Sequence, residues 1–95
     1  VSQKIIELIR EKVRLGQYDM TAHAMEEMAE DDLDILDVEQ AVLNGQIERT
    51  EKGDVRGTKY TIEGTARDEQ TPVGVVGRST DTGRFLIITV FEITD

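Results

Sequence analysis

DILDVEQAVLNGQIERT, residues 34–50, is where the chain changes its periodicity. Asp34 stands where a helix N-cap belongs, with Asp37 three positions on, and Ile35, Val38, Ala41 and Val42 recur at helical spacing along one face. Asn44-Gly45 ends that pattern, and from Gln46 polar and apolar residues alternate instead. Helical periodicity before Gly45 and alternation after it predict an α+β fold, with helices in the first half and strands in the second.

The flanking sequence extends both patterns. Ile5, Ile6, Leu8, Ile9, Val13 and Leu15 predict an amphipathic helix over 3–15 that stops at Gly16. Gln17 to Met20 reads as a link, and Thr21 caps a second helix over 21–30 whose apolar face is Ala22, Met25, Met28 and Ala29. Asp31-Asp32 follows where a left-handed residue is useful, and Asp34 opens the third helix, 34–44. Strands are expected at 46–50, 58–64, 73–78 and 84–93, with Pro72 opening the third. The last of them, Phe85-Leu86-Ile87-Ile88-Thr89-Val90-Phe91, is apolar on both faces and predicts a central strand covered on both sides. The expected architecture is two to three N-terminal helices packed on a C-terminal antiparallel sheet of about four strands.

With 95 residues and no cysteine, the chain predicts one small domain stabilised by packing alone, with no disulfide and no thiolate metal site. Glu7, Arg10, Glu11 and Lys12 interrupt the first apolar stretch, which therefore does not read as a signal peptide, and no run is long enough to span a bilayer. These features suit a reducing, cytoplasmic setting. The formal net charge of −9 argues against simple nucleic-acid binding, but its distribution is uneven. Residues 19–44 hold nine acids and no lysine or arginine, whereas residues 45–95 hold seven bases against nine acids. An acidic helical face of this kind suits a solvated surface or a docking patch for a basic protein. Glu26 and Glu30 could offer oxygen ligands four residues apart, but no loop has calcium-ligand spacing, and neither metal nor cofactor is expected. His23 is the only histidine, the residue type best suited to acid–base work near neutrality; a hydrogen-bonded histidine at a helix start is the plainer reading.

Several blocks together resemble a family of small bacterial proteins, domain-of-unknown-function family four-two-five-eight. They are Thr21-Ala22-His23-Ala24, Met28, Leu33, Asp37-Val38, Gly45-Gln46-Ile47-Glu48, Lys59-Tyr60-Thr61-Ile62-Glu63-Gly64 and Leu86-Ile87-Ile88-Thr89-Val90-Phe91-Glu92, covering about residues 18–92. The resemblance implies a fold like that of the RelE and MqsR group of messenger-RNA endonuclease toxins. It also implies a toxin–antitoxin pairing in which RNA and a small zinc-finger antitoxin are the partners. Where the family reads H-A-x-E-R-M-x-E-R-G-I, this chain has Glu27, Asp31 and Asp32 in place of the two arginines and the glycine. The family's D-G-R is Asp68-Glu69-Gln70 here, and its final tyrosine is Phe91. Cleaving a phosphodiester needs positive charge at the phosphate and a group to take the 2′-hydroxyl proton. His23 is the candidate for the proton, and Lys59 and Arg78 are the candidates for the phosphate. The alternative is a noncatalytic module on the same scaffold that uses its acidic helices to dock a basic protein or to self-associate.

Overall fold

The computed structural model describes residues 2–53 and 55–94. In chain order it contains α1 (Ser2–Arg14), β1 (Tyr18–Met20), α2 (Ala22–Glu30), α3 (Ile35–Asn44), β2 (Gln46–Glu51), β3 (Lys59–Thr65), β4 (Pro72–Ser79) and β5 (Phe85–Glu92). The helix ends follow from local chemistry. Thr21 Oγ1 accepts the Ala24 N–H at 3.1 Å, and Asp34 and Asp37 exchange side-chain and backbone bonds in a capping box at 3.0 and 3.1 Å. α1 and α2 finish in the same way. Gly16 at φ 71 and Asp32 at φ 59 take the left-handed position, and the next residue's N–H returns to Lys12 O at 2.8 Å and to Met28 O at 2.9 Å respectively.

The five strands form one sheet in the order β1-β5-β4-β3-β2. The sheet is mixed, because β1 pairs with β5 in parallel while the other neighbours are antiparallel. The expectation of about four antiparallel strands is corrected on this point. β1 occupies the segment read as a link; three residues are too few for alternation to register, and the strand exists because β5 offers it a partner. Phe85 N–H bonds Gln17 O at 3.1 Å and Thr21 N–H bonds Ile87 O at 3.0 Å, which fixes both ends of the pair.

Ile6, Ile9 and Val13 of α1, Ala24 of α2 and Val38, Ala41 and Val42 of α3 meet Ile62, Val73, Val75, Phe85, Ile87 and Val90 of the sheet in a core with no buried charged or polar residue among the described residues. Gly45 and Gly64 set how closely α3 lies on β3. A Cβ at Gly45 would stand 2.4 Å from Ala41 O, and one at Gly64 would stand 2.1 Å from the same atom. Gly45 therefore ends the helix through close approach, its own φ being −88. β5 lies between β1 and β4, so it is an interior strand, but it is covered on one face only: Leu86, Ile88 and Phe91 remain half-buried where the expectation was cover on both sides. Two β-bulges adjust the sheet, with Glu48 the extra residue of β2 and Ile88 the extra residue of β5.

Candidate functional site

α2 lies along the outer edge of β5. β1 pairs only with Phe85, Leu86 and Ile87, and beyond that point the main chain of β5 needs other partners. Three residues of the α2 segment supply them: Thr21 Oγ1 donates to Ile88 O at 3.4 Å, Glu27 Oε1 accepts from Val90 N–H at 3.2 Å, and Asp31 Oδ2 accepts from Glu92 N–H at 2.8 Å. This explains two departures from the sequence pattern the chain resembles. An acid can accept the edge N–H groups of β5, which an arginine cannot. His23 stands one turn before Glu27, its Nε2 3.4 Å from Glu27 Oε1, with 69% of the side chain exposed.

Lys59 and Arg78 lie elsewhere. Tyr60 pairs with Gly77 across β3 and β4, so the next step of the ladder sets Lys59 beside Arg78 with both on the face of the sheet that carries no helix. Lys59 Nζ is 3.8 Å from Glu51 Oε2, and Arg78 forms no ion pair among the described residues. His23 is beyond the far edge of β5, two to three strands across the sheet and displaced along it towards Val90. The phosphate candidates therefore come together, and the proton-transfer candidate stands apart from them.

The pair belongs to a larger basic grouping. The β2–β3 loop, the β4–β5 loop and the C-terminus of α1 meet at one end of the sheet, where Lys12 Nζ lies 3.4 Å from Ser79 Oγ. That end gathers Lys12, Arg14, Lys52, Arg56, Lys59, Arg78 and Arg84, seven of the chain's eleven bases, together with the acids Glu11, Glu51 and Asp81. A cavity of 370 Å³ opens between the two hairpin loops, with Val55, Arg56, Arg78, Thr80 and Asp81 in its wall. Asp19 partly neutralises the rim: Arg84 donates to it at 2.7 and 3.1 Å and holds its carboxyl below the usual range. The opposite end holds Asp31, Asp32, Asp34, Asp37, Asp68, Glu69 and Glu92 around a single base, Arg67. Arg67 reaches Asp34 at 2.6 Å and Asp37 at 3.2 Å. Burial alone would raise the Asp37 carboxyl, but the N–H groups of Asp34 and Arg67 and the Arg67 guanidinium hold it below the ordinary value.

The acids of residues 19–44 are thus largely engaged within the chain. Glu26, Glu30 and Asp32 are left with no bonded side-chain partner among the described residues. Sequence reasoning did not find the carboxylate caps on β5 or the arrival of Lys12 and Arg14 beside the hairpin loops. Both depend on which elements meet in space, and no local spacing carries that signal.

The arrangement defines a small α+β protein with α1 and α3 on one face of a five-stranded mixed sheet, α2 along its β5 edge, and most of its bases at the end away from the acid-rich β3–β4 connection. The family model described as domain of unknown function (DUF4258) matches residues 20–92, and the chain belongs to that family. No curated protein and no solved structure matches it. Among the described residues no helix is long and apolar enough to cross a membrane, and no cluster of His, Cys, Asp and Glu has metal-site geometry.

Proposed function

We propose that this is a RelE-like protein of toxin–antitoxin type that binds single-stranded RNA at the basic end of its open sheet face. The observation that carries the reading is the placing of Lys59 beside Arg78 in a chain whose net charge is −9. Glu51 stands 3.8 Å from Lys59, but Arg78 has no ion pair among the described residues, so a phosphate reaching Arg78 beside Lys59 is the complementary ligand. Leu86, opposite Arg78 on β5, offers apolar surface against which a base can lie. An RNA strand running from Lys59 across Arg78 to the edge of β5 brings a ribose to His23, which then acts as the acid–base group. Glu27 Oε1 stands 3.4 Å from its Nε2, within reach of the ring.

Induced expression with a growth readout, joined to RNA cleavage by the purified protein, tests the activity. The parent should inhibit growth and cleave RNA, and His23→Ala should fold normally, still bind RNA and lose cleavage by about ten- to a hundredfold. A parent that inhibits nothing and cleaves nothing contradicts the nuclease reading. A His23→Ala protein that cleaves as well as the parent removes the histidine from the mechanism.

A further inference from the structure

Bordering the basic end at Asp19, β1, α2 and the first half of α3 line a groove of 510 Å³. Met20, Met25 and Met28, the only methionines in the chain, all line it, together with Tyr18, Ile35 and Glu39. Met25 is 51% exposed and Ile35 37%, so apolar side chains stand open to solvent at a place where the core does not need them. Unbranched, polarisable methionine side chains can repack around different apolar shapes, which suits a docking surface.

Two features say what fits. The segment from Tyr18 to Glu39, which builds the groove, contains no lysine or arginine. Glu39 gives one oxygen to the Tyr18 hydroxyl, whose pKa is raised by burial and by that carboxylate, and its other oxygen bonds nothing among the described residues. A basic side chain of a partner can pair there. The sheet edge itself is blunted, because β1 is three residues long and Arg84 Nη2 already donates to Tyr18 O at 3.0 Å. Addition of a partner strand is therefore disfavoured, and recognition runs through side chains.

We infer that this groove receives an amphipathic helical segment of a second protein, with an apolar stripe against the methionines and a lysine or arginine set to reach Glu39. This does not depend on the RNA reading, since neither Lys59 nor Arg78 lines the groove.

Selection from a random-peptide display library against the full chain, followed by titration of the enriched peptides, tests it. Enriched peptides should combine apolar residues at helical spacing with lysine or arginine, and should bind less tightly as salt rises. Met25→Glu should weaken them by roughly tenfold or more, whereas Leu8→Glu, which alters the exposed apolar face of α1, should not. Variants at Lys59 and Arg78 should bind the peptides like the parent, so loss of RNA binding and loss of peptide binding are separately visible. No enrichment, enrichment of acidic peptides, or equal binding by parent and Met25→Glu would each overturn the inference.

Discussion

Asp34 and Asp37 show how much one residue can be asked to do. Each caps the start of α3, and each also holds Arg67 from the β3–β4 connection, so the helix start and the acidic end of the sheet are fixed by the same two carboxylates. The caps were legible because capping is local: the acceptor and the N–H it serves are three positions apart. Arg67 was not, since it lies thirty residues along the chain from Asp37. Replacing Asp34 with Ala should cost about 1 kcal/mol, read from the urea midpoint. The pH dependence has a definite sign. Asp37 has a folded value below its ordinary 3.8, so its stabilisation is present above that pH and is lost as pH falls through the lowered folded value. The melting-temperature gap between the parent and Asp37→Asn should be open near neutrality and close as acidification passes through that lowered value. A gap that is constant with pH would mean that the Asn side chain loses something other than the charge. Gly64 is the contrasting case, read in the sequence only as the end of a strand. With Ala41 O only 2.1 Å from any Cβ, Gly64→Ala should push α3 off β3 and destabilise by about 2 kcal/mol or more.

At the scale of elements, the helices and the β2–β5 strands were readable because each carries a periodic pattern or a continuous apolar run over six or more residues. β1 was not, being three residues whose strand conformation is imposed by β5. The one-sided cover of β5 also escaped the pattern, since an apolar run looks the same whether its second face is packed or half-open. The edge of β5 gives the sharpest test here. Glu27→Arg, the residue that the resemblance leads one to expect, leaves Val90 N–H without its acceptor. The expected result is a loss of about 1–2 kcal/mol and faster amide exchange at Val90. Unchanged exchange at Val90 would show the Glu27 hydrogen bond to be incidental. Ile87, 1% exposed, and Ile88, half-buried at the bulge, should part company under the same substitution: Ile87→Asp should unfold the protein and Ile88→Asp should leave it folded but weaker.

For the whole molecule, the balance of charge matters less than where the charges go. The fold brings bases from α1, the β2–β3 loop, β3, β4 and the β4–β5 loop to one end, and carries the acids of the α2–α3 connection, the start of α3, the β3–β4 connection and the end of β5 to the other. Counting along the chain located the acids, which are contiguous, but not the bases, which are scattered and meet only when β3 and β4 pair in register. Lys59 and Arg78 could be named from their residue types; that they are neighbours, and that His23 is not, needed the topology. The most direct measurement of the central claim is the binding of a fluorescent single-stranded RNA across a salt series, for the parent and for Lys59→Glu/Arg78→Glu. The expected result is binding by the parent that weakens with salt, and in the variant a much lower affinity, with the slope of log K against log salt reduced by about 0.7 for each phosphate no longer neutralised. Equal affinity and equal slope for the two proteins would contradict the placing of RNA at the basic end.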